Sequence, residues 1–123
     1  MKDITGTSAH ADMVSVLAKP GHKIILGLTG KTAHELHMAV GVSGEAGELL
    51  DAVKKSSIYG KPIDRENVVE ELGDLEFYME GLRQSLNITR EECIEHNMKK
   101  LSKRYESGKY SDAQAQARAD KEA

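Results

Sequence analysis

His37-Met38-Ala39-Val40-Gly41-Val42-Ser43-Gly44-Glu45-Ala46-Gly47-Glu48-Leu49-Leu50-Asp51-Ala52-Val53-Lys54-Lys55 is the stretch from which the fold is read. With Leu36 before it, Val40, Val42, Ala46, Leu49, Leu50 and Val53 form an apolar stripe at helical spacing. The stripe predicts a helix from Thr32, with Thr32 as N-cap and Glu35 closing a capping box. Glu45 and Glu48 stand i,i+3 in that helix, so both carboxylates leave one face about a turn apart. Glu71 and Asp74, in Glu70-Glu71-Leu72-Gly73-Asp74, repeat the spacing in the next periodic segment. Two such helices side by side bring four carboxylates to one place. Oxygen ligands so crowded repel one another unless a hard cation, Mg²⁺ or Mn²⁺, sits among them.

Outward from this pair the chain reads as helix and connector. Residues 8–19 carry Met13, Val14, Val16 and Leu17 at near-helical spacing and stop at Pro20-Gly21. The apolar run 23–30 (KIILGLTG) is left open by periodicity between strand, loop and buried connection. Gly41, Gly44 and Gly47 recur at i,i+3 although each costs a helix interior about 1 kcal/mol relative to alanine. Their period suggests close approach by another helix or a ligand. After the connector 56–62, Asp64 caps a third helix with Val68, Val69, Leu72, Leu75, Met79 and Leu82 as its buried face. Asn87 closes it, and Thr89-Arg90-Glu91-Glu92 is a capping box for a fourth helix carrying Ile94, Met98 and Leu101. The expected architecture is all-α, an antiparallel bundle of about four helices in one domain, residues 1–110. Residues 111–123 (SDAQAQARADKEA) alternate alanine with polar residues and lack an apolar face. They are left open between a solvated helix, a frayed end and an arm on a partner subunit.

Composition narrows the classes. The chain has 123 residues, 30% of them charged and only 4% aromatic, as suits an aliphatic helical core. A net charge of −3 offers no general attraction for a nucleic acid polymer or an anionic membrane. Residues 1–6 lack the apolar core of a signal peptide, and no apolar run approaches the ~20 residues of a membrane helix. The lone Cys93 forms no internal disulfide, and the cytoplasm is the simplest location.

The acidic pairs stand out from the solvated Glu66, Glu76, Glu80, Glu91 and Glu122 because they interleave with core positions. A di-iron bundle needs Glu-x-x-His on two helices, and no glutamate here has a histidine three residues on. His34 and His37 share a face, but zinc would need further ligands, so a partly exposed or packing role is expected. Cys93 has no adjacent base and is not read as a nucleophile. Asn97, Lys100 and Arg104 fall at i, i+3, i+7 on the fourth helix. Amide, ammonium and guanidinium on one stripe suit a polyphosphate or a base, although a solvated basic face near a helix C-terminus has the same pattern.

The blocks 37–55, 70–80 (EELGDLEFYME) and 97–110 (NMKKLSKRYESGKY), in this order and spacing, resemble the MazG-like all-α nucleoside triphosphate pyrophosphohydrolases, in particular short single-domain members. The resemblance spans roughly residues 32–110. The family pattern is often written EExxE followed by ExxD; here Gly44 replaces the first glutamate, while Glu45, Glu48, Glu71 and Asp74 match. The resemblance implies that these four hold metal and that a nucleoside triphosphate is cut between its α and β phosphates. On the same ground Glu48 is the candidate base, and Lys55, Asn97, Lys100 and Arg104 the candidate substrate contacts. It also implies a homodimer or homotetramer. Two alternatives remain beside it: a superfamily enzyme acting on dUTP, dCTP or phosphoribosyl-ATP, and a non-catalytic bundle that binds partners.

Overall fold

The computed structural model describes residues 6–121. The expectations that the extreme N-terminus lacks a signal-peptide core and that Glu122 is solvated concern residues 1–5 and 122, outside the described residues. Among the described residues all regular structure is helical: α1 (Gly6–Leu17), α2 (Gly21–Gly27), α3 (Gly30–Ser57), α4 (Arg65–Ser85), α5 (Arg90–Arg104), α6 (Asp112–Ala117) and a final 3₁₀ turn, Ala119–Lys121. No helix among them is long and apolar enough to cross a membrane. The chain divides after Ala33 into two compact units.

The first unit contains α1, α2 and the start of α3. Most of the run that periodicity left unclassified is α2, neither strand nor loop. Pro20 in extended conformation opens it with a fixed φ and no N–H to satisfy, and Leu28, again extended, ends it after seven residues. The start of α3 also differs from expectation. Thr29, not Thr32, is the cap: its Oγ1 accepts from the Thr32 N–H at 3.1 Å while Thr32 Oγ1 accepts from the Thr29 N–H at 2.8 Å. A threonine here does the reciprocal work usually given to glutamate in a capping box.

In the second unit α3 and α4 run antiparallel. Met38 meets Gly81 and Gly41 meets Tyr78, so partners descend α4 as they ascend α3. His37 adds an edge-on contact to the Tyr78 ring, with centroids 6.1 Å apart, in keeping with its expected packing role. The remaining helix ends follow the sequence. Asp64 Oδ1 accepts from the Asn67 N–H at 3.1 Å, Asn87 leaves α4 with φ 55°, and Thr89 Oγ1 accepts from the Glu92 N–H at 3.0 Å.

Two expectations about packing are corrected. The α4 stripe is not a buried face: Val68, Leu75, Met79 and Leu82 are half-buried, while Val69 and Leu72 are exposed. Among the described residues only Met38 and Ala52 are buried hydrophobics, each about 6% exposed. Of the three periodic glycines, Gly41 alone is a point of close approach; Gly44 and Gly47 face open space. A methyl group at 41 would run into the rigid Tyr78 ring. Gly41→Ala is therefore expected to destabilise the fold by about 1–3 kcal/mol through overpacking. Gly47→Ala should instead stabilise α3 by up to about 1 kcal/mol. Urea unfolding of the two variants checks the opposite signs.

Candidate functional site

The antiparallel seam carries the acidic residues inward. One turn beyond the Gly41–Tyr78 contact, Glu45 of α3 reaches Glu71 and Asp74 of α4. One oxygen from each of these three carboxylates lies within 4.8 Å of the others, and all three residues are half-buried. Glu48 is exposed and stands outside that group, yet it is near enough for its charge to act on Glu71. Both predicted pairs thus meet at one place, three members within ligand span and the fourth at its edge.

Glu71 bears the cost of this crowding. Its Oε2 is buried and has no hydrogen-bond partner. Burial first, then a hydrogen bond with Glu45, then the charges of Glu45, Asp74 and Glu48 push its carboxyl above the ordinary glutamate range. Ionised carboxylates only accept hydrogen bonds, so Glu71 and Glu45 can bond only while one of them holds a proton. A cation satisfies the same oxygen without a proton. Three carboxylates within ligand span, one of them carrying the orphaned buried oxygen, fit Mg²⁺ or Mn²⁺ well.

The other nominated residues lie elsewhere in the second unit. Lys55, in the last turn of α3, lines a cavity with Ala52, Lys61, Asp64 and Asn67. Asn97 and Lys100 line another, with Cys93, His96 and Lys121 of the final turn, and no carboxylate of the acidic group is among its walls. Arg104 is engaged by Asp120, its Nε donating to Oδ1 at 2.7 Å and its Nη2 to Oδ2 at 3.3 Å. These bonds hold the Asp120 carboxyl below its usual range and Arg104 above its own. The α5 stripe is therefore not a bare solvated face. Asp120 was invisible to sequence reasoning, because an acidic residue in an alanine-rich tail carries no periodic signal. His34 lines a pocket with Met38, Phe77 and Gly81, and Cys93 is exposed.

A raised carboxyl pKa means that the folded chain binds that proton more tightly than the unfolded chain. The resulting penalty is absent below the ordinary glutamate range and complete above the raised value, so ion-free stability falls as pH rises between them. Glu71→Gln removes the charge and keeps the shape. In EDTA it is expected to raise Tm at pH 7.5 and leave it nearly unchanged at pH 4. Added Mg²⁺ at pH 7.5 should raise the Tm of the parent chain more than that of the variant. Thermal unfolding at the two pH values, with and without Mg²⁺, checks both statements.

Comparison with known proteins adds one finding. Neither curated proteins nor solved structures return a match. Residues 33–108, however, match the family described as the MazG nucleotide pyrophosphohydrolase domain. That span begins at the boundary of the second unit and includes all four acidic residues and the α5 stripe. With most of its length so matched and its two acidic pairs meeting across α3 and α4, the chain belongs to the MazG nucleotide pyrophosphohydrolase family.

Proposed function

We propose that the protein hydrolyses a nucleoside or deoxynucleoside triphosphate between the α and β phosphates, releasing the monophosphate and pyrophosphate, with Mg²⁺ or Mn²⁺ as cofactor. The observation that carries this reading is the buried, partnerless Glu71 Oε2 beside Glu45 and Asp74 in a chain of this family. Glu45, Glu71 and Asp74 would hold the cation, with Glu48 able to join from the edge. When bound, the ion supplies positive charge against the polyphosphate and makes a nearby water more acidic.

The chain's own residues do the rest. Glu48 is exposed beside the group, so it keeps an oxygen free to orient the attacking water and accept its proton. The water attacks the α-phosphorus, and the bond to the bridging oxygen breaks toward pyrophosphate. Lys55, Asn97, Lys100 and Arg104 are assigned to phosphate or base, the two lysines as point charges and Arg104 as a planar fork. Gly44 stands where the family pattern has a glutamate, and it faces open space.

We also assign a homodimer or homotetramer in the cytoplasm, with a nucleotide as substrate and neither a nucleic acid polymer nor a membrane as partner. Leu36, Val40, Leu50, Val69, Leu72 and Phe77 are exposed on α3 and α4, an apolar burden that a second copy would cover. Light scattering after gel filtration should give two or four times the 13.5 kDa chain mass. A 13.5 kDa species at micromolar concentration would refute the oligomer.

The reaction is tested by pyrophosphate release from a panel of ribo- and deoxyribonucleoside triphosphates with Mg²⁺, Mn²⁺ or EDTA. Metal-dependent formation of pyrophosphate and the matching monophosphate is expected, and the panel ranks dUTP and dCTP against the rest. Asp74→Ala should abolish turnover, and Glu48→Ala should lower kcat by about 10²–10⁴-fold with the circular dichroism spectrum retained. Silence of the folded chain across the panel and phosphoribosyl-ATP would favour the non-catalytic bundle.

A further inference from the structure

The assigned substrate stripe is covered by a part of the chain to which the family match does not extend. The match ends at residue 108, and the segment that follows folds back onto α5. Gly108 turns the chain with φ 74°, Ser111 caps α6 by accepting from the Gln114 N–H, and Ser107 Oγ bonds Gln114 Oε1 at 3.2 Å. Arg118 then adopts the left-handed conformation, φ 50°, and turns the final 3₁₀ segment toward α5. Asp120 meets Arg104 there through two hydrogen bonds, one to each carboxylate oxygen, with side-chain exposures of 5% and 17%. Lys121 of the same turn lines the cavity that holds Asn97 and Lys100.

All three stripe residues therefore face the C-terminal turn. The contact at Arg104 has the geometry of anion recognition, since a carboxylate takes the guanidinium fork through the same pair of donors that a phosphate would use. One fork does not serve both at once. The segment is also lightly held. Neither α6 nor the final turn contributes a fully buried residue, so its displacement exposes little apolar surface.

We propose that residues 111–121 form an intramolecular cap in which Asp120 stands in for a substrate phosphate on Arg104, so that the polyphosphate must displace the final turn to bind. This rests on the hydrolase reading above for the identity of the ligand. The consequence is a built-in competitor: the cap raises KM and leaves the carboxylate site, and hence kcat, untouched.

The test uses the full chain and the variants Asp120→Ala and Asp120→Asn. The second keeps the shape of the side chain and removes its charge, which guards against a loss of folding. Binding of inorganic tripolyphosphate with Mg²⁺ is measured by calorimetry, and steady-state pyrophosphate release is measured with the best triphosphate of the panel. Removing the charge is expected to tighten tripolyphosphate binding and lower KM by about three- to tenfold, with kcat within about twofold, the size expected of one partly sheltered ion pair. In an Arg104→Ala background the Asp120 substitutions should have no further effect. Equal or weaker tripolyphosphate binding by Asp120→Asn would overturn the cap and show Asp120 to be structural or a positioning residue for Arg104. Absence of turnover in every variant would strike the hydrolase reading instead, and the tripolyphosphate affinities would still decide the cap.

Discussion

The second unit depends on how closely α3 and α4 approach at two glycines. Gly81 admits Met38 and Gly41 admits the Tyr78 ring, and these contacts set both the antiparallel direction and the register of the pair. A slip of one residue would rotate the helices by about 100° and take Glu45 away from Glu71 and Asp74. The acidic group therefore exists because apolar packing one turn away enforces it. Packing does the work against electrostatics: three carboxylates within 4.8 Å repel, and the seam holds them there. Glu71 has a buried oxygen with no partner, and its carboxyl is pushed up first by burial and then by its acidic neighbours. A site of this kind is preorganised for a hard cation, which relieves the repulsion that the fold has imposed.

The acidic group and the α5 stripe lie in different parts of the unit. The carboxylates lie between α3 and α4, and the basic stripe lies on α5 under the C-terminal turn. Under the proposed hydrolase reading the first would carry a cation and the second would hold anionic oxygens. Exposed aliphatic side chains are abundant on α3 and α4, which supports the proposed association of copies. Arg104 links this scheme to the tail. Its fork is taken by Asp120, so the charge of the basic stripe is neutralised in part by the final turn.

Much of the fold was legible in the chain. The apolar stripe from Leu36 to Val53, Asp64 as a cap, the Thr89 box and Asn87 as a terminator each correspond to a feature of the structure, because capping and periodicity are local physics. Where the reading missed, local signals competed. Thr32 has a glutamate three residues on and reads as a cap, but Thr29 forms the reciprocal pair first. The apolar run before it is too short for periodicity to classify, and Pro20 decides for helix. Gly41, Gly44 and Gly47 look alike in sequence, yet only the first faces a ring, since close approach is a property of the neighbour.

By itself the sequence determined the three long helices, the ends marked by Asp64, Asn87 and Thr89, and the placement of two carboxylate pairs on two faces, because each depends on residues within a turn or two of one another. It also carried the resemblance by which the family was recognised. Only the tertiary structure decided that Glu45, Glu71 and Asp74 lie within ligand span while Glu48 stays at the edge, and that Glu71 takes the burial. It alone joined Asp120 to Arg104 across sixteen residues of chain. Such contacts depend on interhelical register and on where a tail returns, and no spacing along a single helix encodes either.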